Sequence, residues 1–230
     1  MTGSEPYRPT RRGVLTGAGL AIAGGVAATV AGAPGVAEAT GSGVARAPQG
    51  ATAVEFRGRI TQSGSTGQDF AALGILTALA GAQLSDLFEG PGTTIGNALF
   101  TVTADGSLVR RVLDQSVHAL DIGGELSVYQ RPHGGARFDR PASFSQGTRV
   151  ARFDLALQDV LTVFAAAQGL PTLTGDMTQT QAGVLHGGLA GQRFGIGGQR
   201  LRMLATGIGQ LVDPVTLNAQ LEVAGNWSVE

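Results

Sequence analysis

Residues 215–223 read Val-Thr-Leu-Asn-Ala-Gln-Leu-Glu-Val, an unbroken alternation of apolar and polar side chains. Successive side chains on a β-strand point to opposite faces, so a strand here places all five apolar residues on one side. A helix would scatter the same residues around its circumference. The stretch therefore predicts an antiparallel strand with one buried face and one solvated face.

A second stretch of this kind lies near the start of the predicted domain. Residues 54–61 read Val-Glu-Phe-Arg-Gly-Arg-Ile-Thr and alternate in the same way. We interpret residues 70–79 and 150–164 as strands as well, although both also fit a helical pattern. Pairing the first strand with the last would cover both edges of the sheet. The sequence thus predicts an all-β domain of about eight or nine strands, either a single antiparallel β-barrel or, as the alternative, a β-sandwich.

Three dipeptides have the composition of two-residue hairpin turns: Asp105-Gly106, Gly123-Gly124 and Gly197-Gly198. Between the second and third of these, the alternation within residues 150–164 slips at Asp159. Either a β-bulge resets the two faces at this point, or Asp159 points inward among leucines.

The N-terminus carries a motif for export. Residues 10–15, Thr-Arg-Arg-Gly-Val-Leu, resemble the twin-arginine signature, with Arg11 and Arg12 as the pair. An uncharged, weakly apolar run follows, and Ala37 and Ala39 then fit the small-x-small pattern of a cleavage site. The resemblance implies secretion through the twin-arginine translocase and cleavage by signal peptidase after Ala39. The alternative is an uncleaved N-terminal membrane helix, for which this run is only weakly hydrophobic.

Three segments follow from this assignment: a signal peptide over residues 1–39, a flexible small-residue linker over 40–52, and a single β domain over 53–230. Hydrophobic residues make up 43% of the chain, which is too many for a disordered protein. The chain has no cysteine, so it forms no disulfide and has no thiol nucleophile. The domain must therefore be stabilised by its core alone.

Charge and histidine content narrow the possible functions. All 16 basic residues are arginine, the net charge is -1, and no basic run exceeds an arginine pair, so we expect no nucleic-acid partner. The three histidines lack the close spacing of metal motifs, and we expect neither a metal site nor a cofactor.

Asp114, Ser116 and His118 have the residue types of a catalytic triad. On one strand, however, alternate side chains lie roughly 7 Å apart, beyond the roughly 3 Å of a nucleophile–base hydrogen bond. We therefore assign no catalytic residue. The only weak candidate is Asp159, because its position in the alternation is the one that brings an ionisable group inward.

The longest irregular stretch, residues 131–147, supplies the candidate ligand-binding residues. A loop of this length inside a compact domain is often functional. Arginine pairs with a carboxylate while phenylalanine covers an apolar remainder, which suggests an amphiphilic acid as ligand and a position at the mouth of the cavity. The alternative is a solvated loop whose arginine and aspartate side chains pair locally. The candidates are Arg131, His133, Arg137, Phe138 and Arg140.

The ending Gly-Gly-Gln-Arg-Leu-Arg-Met, at residues 197–203, together with the strand-rich layout, resembles the barrels of dirigent proteins and allene oxide cyclases. Those folds hold a lipophilic ligand inside eight antiparallel strands, and some act by positioning a reactive intermediate. The resemblance covers the last third of the chain and carries over no catalytic residue. Our first hypothesis for the function is a non-catalytic binding module for a small apolar or amphiphilic molecule or a cell-envelope component. The alternative is a cofactor-free isomerase or cyclase; the absence of a visible acid–base pair favours binding.

The export assignment predicts that the secreted protein begins near Thr40. Replacing Arg11-Arg12 by Lys-Lys should block secretion, because the arginine pair defines the signature. Immunoblotting of the culture medium and N-terminal sequencing of the secreted material measure both effects. Undiminished secretion of the Lys-Lys variant, or a chain beginning at Met1 in the membrane fraction, would contradict the assignment.

Overall fold

The structure, a computed structural model, describes residues 43–230. The residues assigned to the export signal, Arg11, Arg12, Ala37 and Ala39, lie outside this range. The described residues are almost entirely strand and turn, with a single short α-helix, α1 (Leu84–Leu87), and 3-10 turns at Ile95–Asn97, Pro141–Ser145 and Gly187–Leu189. None of the helices in the range is long and apolar enough to cross a membrane.

Ten strands occur between residues 43 and 230. Two are short, and the other eight each span eleven residues or more. In chain order they are β1 (Gly43–Val44), β2 (Thr52–Ser63), β3 (Asp69–Leu79), β4 (Phe100–Asp114), β5 (Val117–Gln130), β6 (Thr148–Ala165), β7 (Gln168–Ala182), β8 (Arg193–Phe194), β9 (Arg200–Asp213) and β10 (Asn218–Val229).

The eight long strands form a closed antiparallel barrel in the order β10-β2-β3-β4-β5-β6-β7-β9. The first and last of them close it, with Val54 opposite Trp227 and Ile60 opposite Leu221. The predicted barrel and the predicted pairing of its end strands are therefore confirmed. The short strands β1 and β8 pair with each other as a separate two-stranded parallel sheet.

The alternating stretch at residues 215–223 is a strand only from Asn218 onward. The residues before it form the turn between β9 and β10, where the Asp213 carboxylate accepts hydrogen bonds from the Val215 N–H at 2.9 Å and the Thr216 hydroxyl at 2.7 Å. Leu217 has a positive φ of 60°, and the Val215 side chain is 87% exposed. Val215 is therefore not an inward residue, because the turn needs its backbone.

Aromatic side chains fill one half of the barrel interior. Trp227 is completely buried, and its ring lies 5.7 Å from that of Phe56 and 5.6 Å from that of Phe153. The predicted strands at residues 54–61, 70–79 and 150–164 are confirmed as parts of β2, β3 and β6.

The predicted hairpin turns at Asp105-Gly106 and Gly123-Gly124 are wrong. These residues lie inside β4 and β5, and Gly106 stands directly opposite Gly124. A Cβ atom on Gly124 would overlap the carbonyl oxygen of Asp105 and lie 2.7 Å from the Gly106 Cα. The glycines therefore permit a close approach of two strands, which is their other common use in barrels. Residues 115–116 form the actual turn.

Gly197-Gly198 does lie in a turn, closed by a hydrogen bond from the Gln199 N–H to the Ile196 carbonyl at 3.0 Å. It does not connect two paired strands, because β9 pairs with β7 and β10, whereas β8 pairs with β1. The turn is confirmed and the hairpin is not.

The predicted flexible linker is also corrected for the part that the structure describes. Val44 is completely buried, and the Ala45 N–H donates to the Ala80 carbonyl at 2.9 Å. Further along, the Gly50 N–H donates to the Val229 carbonyl at 2.7 Å. Gly43 and the residues that follow it are therefore bound to the barrel, because they satisfy its backbone groups and cover its core.

The two ends of the barrel differ. Short turns join β2 to β3, β4 to β5, β6 to β7 and β9 to β10 at one end, which we call the open end. The longer connections, residues 80–99, 131–147 and 183–199, lie at the opposite end together with β1. We call this the covered end, since these connections bury their own apolar side chains there: Val44, Leu87, Phe144, Leu185 and Phe194.

The close approach at Gly124 predicts different effects for alanine at two adjacent positions. Gly124→Ala should lower the free energy of unfolding by about 1–3 kcal/mol, because the new methyl group forces β4 and β5 apart. Gly123→Ala is the control, since its Cβ would meet only the Val109 side chain at an ordinary 3.5 Å. Urea denaturation measures both, and equal effects would contradict this account.

Candidate functional site

A cavity of about 160 Å³ lies inside the barrel at the open end. The turn residues Ala167 and Leu217 lie at its rim, and most of its lining is apolar. A smaller void of about 40 Å³ lies beyond it, and the two share Asp159 and Leu221 in their walls. The apolar residues of the larger cavity include Leu113, Leu120, Leu161, Val163, Leu211 and Ala219.

Asp159 points into this interior. Its strand, β6, keeps its register with β5 and β7 around this residue, where Asp159 stands opposite Leu120 and Leu173. No bulge resets the faces there, so of the two interpretations of the alternation the inward one is confirmed. The residue is 3% exposed, and its Oδ1 atom has no hydrogen-bond partner among residues 43–230.

Burial has a large effect on the Asp159 carboxyl. An apolar environment penalises the ionised form, and this raises the pKa of Asp159 to about 7, although a hydrogen bond from the Thr172 backbone opposes the shift. A carboxyl group with this pKa holds or releases a proton near neutral pH, so it can act as a hydrogen-bond acceptor, a donor or an acid–base group.

Two further charged or titratable side chains line the cavity, Arg111 and His118. Arg111 on β4 and Asp159 on β6 both stand opposite Leu120 of β5, which lies between them. The two residues are therefore at the same height in the barrel, two strands apart. The Arg111 guanidinium donates to the carbonyls of Thr66 at 2.8 Å and Gly67 at 2.7 Å, and its partial burial lowers its pKa. It therefore holds the β2–β3 turn against β4.

His118 stands opposite Leu161 on β6, one step nearer the open end than Asp159. Its Nε2 atom lies 3.3 Å from the carbonyl oxygen of Gln115. The three residues with the side-chain types of a catalytic triad do not lie on one strand: Asp114 ends β4, Ser116 lies in the turn and His118 lies on β5. The structure instead places His118 diagonally across from Asp159 on adjacent strands, facing the same cavity.

Sequence reasoning missed Arg111 and His118 as cavity residues. A register shift between Leu108 and Arg110 leaves Val109 as an extra residue, 74% exposed, and moves Arg111 to the inward face. One signal was available in the sequence. Arg111 and Leu113 lie two residues apart, as do His118 and Leu120, and a hairpin turn at residues 115–116 pairs Arg111 with Leu120 and Leu113 with His118 on the same face.

The candidate loop at residues 131–147 lies at the covered end and contributes no residue to the cavity lining. Arg131 is buried there, where its guanidinium donates to the carbonyls of Ser143 at 2.8 Å and Gly134 at 3.0 Å. Arg137 pairs through two hydrogen bonds with Asp139, at 2.9 and 2.6 Å. Both arginines therefore bind groups of their own loop.

The rest of the loop lies on the outside of the barrel. The Phe138 ring stacks on Phe144 at 5.3 Å, and the Arg59 guanidinium of β2 lies 4.3 Å from the centre of the Phe138 ring. His133 contacts Glu89 at 3.2 Å, and Arg140 is exposed.

The predicted position of the loop at the mouth of the cavity is therefore wrong. The two false hairpins added one strand before the loop, and each strand moves the chain to the other end of the barrel. The ligand-binding role of Arg131, His133, Arg137, Phe138 and Arg140 stays a prediction, and their position gives it no support.

No protein-family model matches the sequence. No curated protein matches it, and no solved structure matches the fold. The resemblance to dirigent proteins and allene oxide cyclases therefore stays a prediction.

The buried Asp159 predicts a specific dependence of stability on pH. Its pKa is about 7 in the folded state and about 3.9 in an unfolded chain, so between these values the folded state binds more protons. The free energy of unfolding should therefore fall as the pH rises, by about 3 kcal/mol between about pH 5 and about pH 8. Carboxyl groups whose pKa is lowered, such as Asp121 and Asp213, titrate below this window.

Urea denaturation at the two pH values measures this effect in the native protein and in two variants. Asp159→Asn should abolish it, because the amide does not titrate. Asp154→Asn, on the exposed face of the same strand, should retain it. A native protein with equal stability at both pH values would refute the assignment.

Proposed function

We propose that this is an exported binding protein whose β-barrel holds a small apolar or amphiphilic molecule. The observation that carries the proposal is the cavity at the open end, with its lining of leucine, valine and alanine side chains. Binding sites for small molecules are typically concave and mostly apolar, with a few polar groups that orient the ligand. Asp159, Arg111 and His118 have the position of such groups.

The size of the cavity limits what it can enclose. An apolar cavity of about 150 Å³ holds a molecule the size of benzene. The cavity here, at about 160 Å³, therefore takes one six-membered ring or the end of a longer chain. A longer ligand would extend past Ala167 and Leu217 into solvent.

The export signature adds a location to the proposal. We place the mature protein outside the cytoplasm, after its passage through the twin-arginine translocase and cleavage by signal peptidase. That pathway carries folded proteins, so the barrel would close before export. The ligand would then be either carried out with the protein or bound outside.

A second candidate is a cofactor-free isomerase or cyclase, and one specific observation favours it. An enzyme of this kind needs an inward ionisable group with a shifted pKa, and Asp159 has both properties. As a base it would remove a proton from a carbon next to a carbonyl group of the substrate, and as an acid it would return that proton to another position.

The binding proposal predicts that filling the cavity abolishes binding of an apolar probe. Toluene should bind to the native protein, and Ala219→Leu should remove this binding, because Ala219 lines the cavity. Ala224→Leu is the control, since Ala224 is exposed on the outer face of the same strand. NMR titration of backbone amides measures each affinity. Undetectable binding of toluene to the native protein would overturn the proposal.

The catalytic candidate has its own test with cyclohexanone, a ketone of similar size to the cavity. If Asp159 acts as a base, the native protein should speed the exchange of the ketone's α-protons in D₂O, and Asp159→Asn should not. Proton NMR follows the loss of signal. Equal exchange rates with the two proteins would favour a binding function without catalysis.

A further inference from the structure

The half of the barrel nearer the open end has more acidic than basic side chains. Its three arginines are all engaged by other groups of the chain. Arg59 pairs with Glu222 at 2.6 Å, Arg110 pairs with Asp121 at 2.6 Å, and Arg111 donates to backbone carbonyls of the β2–β3 turn.

Three carboxylates near the turns of the open end have no ion pair among the described residues. Asp69 begins β3, Asp114 ends β4, and Asp213 ends β9, so each lies next to a different turn. Hydrogen bonds from the Thr216 hydroxyl and the Val215 backbone lower the pKa of Asp213, which keeps it ionised. The Arg111 guanidinium at the β2–β3 turn is positively charged as well, since its partners are neutral carbonyls. Three carboxylates without an ion pair therefore stand against one such arginine, and an excess of negative charge around a narrow opening attracts cations.

The interior adds a second, independent observation. Asp159 is almost completely buried in an apolar wall, and its Oδ1 atom has no donor among the described residues. Unsatisfied buried oxygens are costly, and a carboxylate gains most from a charged donor. An acidic rim and a buried acceptor behind it both favour a cationic ligand.

Resting on the proposed binding function, we infer that the cavity binds an apolar molecule that carries a protonated amine, with the ammonium donating a hydrogen bond to Asp159 Oδ1. The hydrocarbon part of the ligand would contact Leu161, Leu211 and Ala219, which line the same cavity. The ligand suggested by the sequence of residues 131–147, an amphiphilic acid, has the opposite charge. The arginines of that loop lie at the covered end, away from this cavity.

Arg111 and His118 are the other charged or titratable side chains that face this cavity. The Arg111 backbone lies two strand spacings from that of Asp159, roughly 10 Å away, and its guanidinium is held by the carbonyls of residues 66 and 67. It therefore leaves the Asp159 oxygen open to a ligand. His118 lies nearer the mouth, beside the path that the amine would take.

Three probes of one shape and different charge test this inference: cyclohexylamine, cyclohexanol and cyclohexanecarboxylate. At about pH 8.5 the amine is a cation, and Asp159, with a pKa of about 7, is ionised. The native protein should bind cyclohexylamine at least about tenfold more tightly than cyclohexanol, as a charge-assisted hydrogen bond implies. Cyclohexanecarboxylate should bind most weakly.

Two matched variants assign the preference to the right carboxyl group. Asp159→Asn should bind the amine and the alcohol with similar affinity, since an amide offers no charge. Asp154→Asn should keep the native preference, because Asp154 faces solvent on the same strand. Isothermal titration calorimetry measures the affinities, and cooperative thermal unfolding first confirms that both variants fold.

The outcomes separate this inference from the function on which it rests. Similar affinities for all three probes, or a preference for the carboxylate, would overturn the amine inference and leave the apolar binding function standing. A preference that survives in Asp159→Asn would overturn the role of that residue. Binding of none of the probes would overturn both proposals.

Discussion

The pairing of β10 with β2 is the contact on which the rest of the structure depends. It joins the two ends of the meander, so every long strand has a hydrogen-bonded neighbour on each side and the sheet has no open edge. An eight-stranded barrel has an interior just wide enough for its own side chains. Whether a cavity exists therefore depends on the size of the inward side chains at each height along the barrel axis. Trp227 fills the half near the covered end, whereas Gly209, Ala219 and Ala167 leave room in the half near the open end.

Asp159 is the most deeply buried ionisable side chain among the described residues. A leucine at its position would extend the apolar wall formed by Leu120 and Leu173, with which Asp159 is paired. The carboxyl group instead faces inward with a free oxygen and a pKa raised by burial. An ionisable group with an unpaired oxygen in a mostly apolar core is a departure of the kind expected at functional positions. This is why both proposals, binding and catalysis, converge on the same side chain.

The sequence was sufficient to predict the barrel, its closing pair and the inward option for Asp159, because period-two alternation directly reports which face is buried. It was insufficient for the rest of the site. The bulge at Val109 reverses the faces of β4 and has no compositional mark, so Arg111 was not recognised. Glycine is ambiguous in the same way: Gly106 and Gly124 have turn composition, but they allow two strands to approach each other.

The direction of a meander explains why two false hairpins, predicted in place of the one real turn at residues 115–116, displaced the whole candidate site. The chain changes ends with every strand, so residues 131–147, which follow four barrel strands, lie at the end where β2 begins. A fifth strand would have moved the same loop to the cavity. Long connections at the covered end bury the core, while the short turns of the open end expose it. In this barrel, recognition chemistry must therefore come from inward side chains of the strands, among them Asp159, Arg111 and His118, and from strand ends beside the rim turns. Those strand ends carry the carboxylates of Asp69, Asp114 and Asp213.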